Sequence, residues 1–172
     1  MSIKRMLKPS SMILGIIAIG LLFGFIAIQF VPVSRANPPV VQEPAWDSSQ
    51  TRALAARACF DCHSNETKWP WYSRVAPASW LVADHVQEGR AELNFSEWGL
   101  LKEDHGEDEE EEGEEMEEIV EKIQEGEMPL PGYLLMHPEA RLSEAEIKQL
   151  VQGLEATFEA EAKQAAGTIA HD

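Results

Sequence analysis

Residues 59–74, CFDCHSNETKWPWYSR, hold both cysteines of the chain, Cys59 and Cys62, with His63 directly after them. A helix brings positions i, i+3 and i+4 to one face. Two thiols and an imidazole so placed can meet one flat group along an edge and at its centre. C-x-x-C-H is the attachment signature of c-type haem. Cys59 and Cys62 would form thioethers with two vinyl groups, and His63 would face the iron from the proximal side. Three other readings compete. An oxidising compartment permits a Cys59–Cys62 disulfide. A thioredoxin-like pair would want a βαβ setting, which the sequence lacks. Structural zinc would need further ligands nearby.

Upstream, residues 12–31, MILGIIAIGLLFGFIAIQFV, carry no charge and one strongly polar side chain, Gln29. At about 1.5 Å per residue, such a run is long enough to span a hydrocarbon layer as a helix. Lys4, Arg5 and Lys8 precede it and only Arg35 follows closely, so the basic residues 1–11 are expected to stay in the cytoplasm and the remainder to be exported. A cleaved signal peptide is the alternative, with small residues at Ser34 and Ala36, but the apolar run exceeds the usual signal core.

All 30 Asp and Glu lie beyond that run, and the whole chain carries a formal charge of −16. Nucleic acid is excluded as a partner, because phosphate needs positive charge opposite it. The acidic surface serves solubility and also suits steering of a basic redox partner.

Residues 32–46, with four prolines, read as an extended tether. A domain is expected over 47–160 and a frayed tail over 161–172. Asp47 or Ser48 can cap an Ala-rich helix running through Cys62, with Leu54, Ala55 and Ala58 on its inner side. Pro77 suits the first turn of a helix reaching about Arg90, with Trp80, Leu81 and Val86 buried. Ser96 to Leu101 reads as a short helix with Trp98 inward. Residues 103–118 form an acidic insertion in which twelve of sixteen residues are Asp or Glu, solvated at its start. Met116, Ile119, Val120 and Ile123 then mark an amphipathic helix, ended by Gly126. A proline-rich loop over 127–142 follows. The capping box Ser143–Glu146 opens a last helix, with Ile147, Leu150, Val151, Leu154 and Phe158 on one face. The fold class is therefore all-α: a small c-type cytochrome-like helical domain behind an N-terminal membrane helix.

A second axial ligand would come from Met116, Met128, Met136, His85, His105, His137 or His171. Met116 fits a helix core, His85 a packing or surface role, and His105 and His171 solvent. Met128 has the best context, beside Pro129 on the loop leading to the final helix. Trp69, Trp71 and Arg74 are expected as pocket members: indole N–H groups could bond a haem propionate, and Arg74 could pair with one. The competing reading of the aromatic residues is generic core.

The blocks CFDCHSNETKWPWYSRVAPASWLV, EGRAELNFSEW and EMPLPGYLLMHPEARLS, from about Ala53 to Gly153, resemble the bacterial haem-binding domain proteins, which are small, exported and c-type cytochrome-like. The resemblance implies one covalently held haem c, with Cys59, Cys62 and His63 on the matching positions. The family's M-P element falls on Met128–Pro129. With the uncharged run at 12–31 as anchor, the chain is expected to be a single-pass protein of the bacterial inner membrane, with its domain on the periplasmic or extracytoplasmic side. The function expected is single-electron transfer with redox partner proteins, with iron held by His63 and Met128, and no enzymatic turnover. An open sixth position would instead make the chain a gas-binding or sensing module. A non-haem protein with an acidic binding face is a third reading.

Overall fold

The structure is a computed structural model, and it describes residues 9–98 and 109–169, with side chains over 12–98 and 116–163. It is all-helical among the described residues, with one isolated parallel bridge between Gln42 and Glu97. Two compact units form: one from the residues up to Ala36 together with Trp69–Asp84, the other from Asn37–Lys68 and His85 onward.

In the first unit, helix α1 (Pro9–Ile28) carries Met12, Leu14, Ile16, Leu21, Phe23 and their apolar neighbours exposed all round. Among the described residues, no helix is long and apolar enough to cross a membrane; the described side chains of α1 begin only at Met12. Past its end, the Gln29 side chain pairs with both backbone polar groups of Ala76. Its Nε2 donates to the Ala76 carbonyl at 3.1 Å, and its Oε1 accepts from the Ala76 N–H at 2.9 Å. Arg35 donates to the Ser73 carbonyl at 3.1 Å, in the 3-10 turn Trp71–Arg74. Trp80 and Leu81, expected inside helix α4 (Ala78–Glu92), are exposed. Of the residues expected to be buried on that helix, only Val86 is, in the part that belongs to the second unit.

The second unit is built on α2 (Ser49–Ala58), α3 (Phe60–His63), α5 (Glu109–Gln124), α6 (Pro131–Met136) and α7 (Glu144–Ile169). Ser48 caps α2, its side chain accepting from the Thr51 N–H. The helix expected to run from there through Cys62 instead breaks at Cys59, which closes α2 and opens α3. Gly153 is why α7 can cross α2 so closely: a Cβ there would sit 2.0 Å from Thr51 Oγ1. The core joins Leu54, Phe60, Phe95, Trp98, Ile123, Leu150 and Leu154. A run of rings lines it. Trp46 meets Phe95 at 5.3 Å, Phe95 stacks on Trp98 at 5.9 Å, and Trp98 meets Phe158 edge-on at 4.8 Å.

The second half of the proline-rich segment is packed rather than free: Val41 and Gln42 donate backbone N–H groups to Ser96 O, and Trp98 N–H donates to Gln42 O. Trp98 is buried as expected, in a turn rather than a helix; the rest of the helix expected to Leu101 lies outside the described residues. Of the acidic insertion, 103–108, with His105, also lies outside them, as does His171; from Glu109 onward it is helical, because Glu is a strong helix former. α5 presents Ile123 buried and Met116, Ile119 and Val120 against the core, and it stops before Gly126, whose φ of 75° suits glycine. The loop expected over 127–142 contains α6, started by Pro131 in its first turn. α7 continues to Ile169, into the tail expected to fray over 161–172.

Candidate functional site

Cys59, Cys62 and His63 share one turn. The Cys62 and His63 N–H groups both donate to Cys59 O, at 3.1 and 2.9 Å. The thiols are free rather than joined, which sets aside the disulfide in this structure. Burial, helped by the neighbouring Cys62, pushes the Cys59 thiol up to about 12. Burial, then Asp61, pushes Cys62 up to about 11. Both stand as neutral thiols, unlike the low-pKa pair of a disulfide oxidoreductase.

His63 is aimed by the backbone. Its Nδ1 lies 3.1 Å from Leu93 O, and the Gly89 carbonyl adds a second acceptor. A carbonyl can only accept, so Nδ1 carries the proton and Nε2 keeps its lone pair. Burial lowers the His63 pKa and favours the neutral ring that a metal requires.

A buried polar frame fixes the next residues. Asn65 N–H donates to Ser96 Oγ at 2.9 Å, Asn65 Nδ2 donates to Glu97 Oε1 at 2.7 Å, and Asn94 Nδ2 donates to Asn65 Oδ1 at 3.2 Å. Phe95 N–H donates to His63 O at 2.8 Å. Arg90 reaches Ser64 O at 2.8 Å and Thr67 Oγ1 at 2.9 Å.

Of Cys59, Cys62 and His63, only Cys59 meets Met128 at a cavity, and Cys62 and His63 are not among its lining residues. Cys59 and Met128 both line a cavity of about 120 Å³, with Ala58, Ile123, Pro129 and Leu134 among its apolar walls and Arg141 as its charged residue. The Met128 N–H donates to Lys122 O at 3.0 Å. On the far side, Tyr133 of α6 donates its hydroxyl to Asp61 Oδ2 at 2.8 Å, and the Lys68 N–H holds the other carboxylate oxygen at 2.9 Å. Burial, then this bond to Asp61, raises the Tyr133 pKa. Asp61 thus ties the segment carrying Met128 to the turn carrying the cysteines.

Residues 23–156 match the haem-binding domain family. The chain belongs to that family. No curated protein and no solved structure matches the chain. The donor set fits a haem: two uncommitted thiols, an imidazole with Nε2 free for iron, and a thioether beside one of the cysteines. Sites for ligands of drug size usually run from about 300 Å³ upward, so this cavity would have to widen to admit one.

Among the other axial candidates, Met116 packs in the core, Met136 is exposed, and His137 stacks on Tyr133 at 4.2 Å. His85 is half-buried and outside the cavity wall. Trp69, Trp71 and Arg74 fall in the first unit, and none of them lines this cavity. Sequence reasoning missed Asp61, Gly89, Tyr133 and Arg141. A Cβ on Gly89 would lie 2.8 Å from Cys62 O, so only glycine lets α4 approach the cysteine turn this closely. The block EGRAELNFSEW contains that glycine, but nothing in the sequence marks its neighbour.

Proposed function

We propose that the chain is a membrane-anchored, exported c-type cytochrome that transfers single electrons. Haem would be attached through Cys59 and Cys62, and His63 and Met128 would hold its iron. The observation that carries this reading is the convergence of Cys59 and Met128 on one apolar cavity, with His63 in the same turn as Cys59 and its Nδ1 committed to Leu93 O. Once bound, the haem supplies the one-electron couple. The residues supply the rest. His63 Nε2 is oriented by its backbone partners. The Met128 thioether would favour reduced iron. The apolar walls exclude water, and Arg141 offers a cation to a propionate. The anchor reading is supported by the uncharged run at 12–31 and by the apolar side chains that α1 exposes on every side.

The test is the optical spectrum of the full chain, matured with haem, oxidised, reduced, and reduced under carbon monoxide. Wild type is expected to be low-spin and indifferent to carbon monoxide. Met128→Ala is expected to turn high-spin and bind it. Wild type that already binds carbon monoxide would favour the gas-binding reading. Absence of haem attachment would overturn both.

A further inference from the structure

The first unit carries a feature that electron transfer leaves unused. Between Trp71 and Leu81, four large apolar side chains are exposed: Trp71 at 73%, Val75 at 38%, Trp80 at 37% and Leu81 at 58%. Single exposed apolar residues are ordinary on a soluble surface. Here they follow one another along a segment clamped to the end of α1 by the Gln29–Ala76 pair and the Arg35–Ser73 bond. A second cavity, of about 250 Å³, is lined by Gln29, Phe30, Arg35, Arg74 and Ser79, among others. Among the described residues no carboxylate pairs with Arg35 or Arg74. Two guanidinium-bearing side chains border one cavity in a chain of formal charge −16. An anion there would relieve their mutual repulsion.

We propose that this face lies in the lipid headgroup layer, with the Trp71 and Trp80 rings at the boundary of the acyl chains and a lipid phosphate between Arg35 and Arg74. The proposal rests on α1 being a membrane anchor. If it is, Gln29 stands at the exit of the helix, where the headgroups begin, and the clamp holds 71–81 at that depth. Indole rings prefer this layer because they are apolar with one polar N–H. Guanidinium matches phosphate with two parallel hydrogen bonds. Trp71 and Arg74 then face lipid rather than haem.

The experiment uses the full haem-bearing chain in vesicles of phosphatidylcholine brominated high on the acyl chain. Alkaline carbonate extraction comes first: a chain that is released overturns the anchor reading and this proposal with it. With the chain retained, wild-type tryptophan fluorescence is expected to be quenched, and Trp71→Phe/Trp80→Phe to lose about half or more of that quenching, as interfacial rings should. A retained chain whose quenching is unchanged in the double variant overturns this proposal and leaves the anchor standing. Arg74→Gln, at an exposed position, is expected to reduce quenching of the remaining rings; no change overturns the phosphate contact. Excess inorganic phosphate is expected to have no effect, and release of the rings from lipid would assign the cavity to a soluble anion instead.

Discussion

Gly89 shows how little room the cysteine turn has. A methyl group there would press on the Cys62 carbonyl at 2.8 Å and on its Cβ at 3.1 Å, both rigid parts of the turn. Either the turn or α4 must move, and overpacking of this kind costs about 1–3 kcal/mol. Cys62 is itself an attachment residue and His63 follows it directly, so the change should disturb attachment as well as stability. Gly89→Ala is expected to lower the denaturant midpoint and the ratio of haem to protein. Gly132→Ala is the control, because nothing lies within 4 Å of its added methyl. If both variants behave like wild type, the close approach does not matter. Cys59, Cys62 and His63 were legible because their chemistry is written in five consecutive residues. Met128 was legible because a methionine beside proline on a loop stands out. Gly89, Asp61 and Arg141 were not, because each takes its role from a neighbour far away in sequence.

At the scale of the element, caps were readable and burial was readable in part: Leu54, Ala55, Trp98, Leu150, Val151 and Leu154 are buried as expected, and Trp80 and Leu81 are not. Ser48, Gly126 and the Ser143–Glu146 box stand where local chemistry put them, since a cap acts within one turn. Trp80 and Leu81 look like an inner helix face by composition, yet they are exposed, because apolar character does not say which solvent a side chain meets. The break at Cys59 was hidden for a similar reason: the alanine-rich stretch before it favours helix, and no glycine or proline up to His63 marks an end. The box at α7 makes a testable pH dependence. Glu146 accepts from the Ser143 N–H at 2.8 Å and from Arg57 at 2.5 Å, in that order of effect, and its pKa falls from 4.5 to about 2. A carboxyl whose folded pKa is depressed contributes stability that is fully present above its unfolded pKa and is lost as pH falls through the folded one. Wild type should therefore lose stability between about pH 4.5 and about pH 2 through this group. Glu146→Gln is expected to be less stable at neutral pH and to show a shallower decline across that window in thermal melts. Identical slopes for the two proteins would remove Glu146 from the acid response.

On the scale of the whole molecule, the question is how much of the second unit depends on its cofactor. A domain of this size built around haem would be expected to collapse without it. The structure divides that expectation. The aromatic run from Trp46 through Phe95 and Trp98 to Phe158 does not itself line the cavity; its cluster meets the cavity through Ile123 and Leu150 and, among its partly buried members, Cys59, Leu142 and Ile147. The opposite wall, from Gly126 to Leu142, holds few buried side chains and faces the cavity with Met128, Pro129, Leu134, Arg141 and Leu142. Its ties to the rest include one hydrogen bond to Lys122 O and one to Asp61. Local opening is cheapest where buried contacts are few. Cys59→Ala/Cys62→Ala, made without haem, is therefore expected to lose amide protection over 126–142 by about 10- to 100-fold, while 49–58 and 147–158 change much less. Hydrogen exchange on the full chain, with and without haem, reads this directly. A uniform loss across all three segments would mean that haem holds the entire unit together. No loss over 126–142 would mean that this wall owes nothing to the haem, and Met128 would then be a poor choice for its ligand.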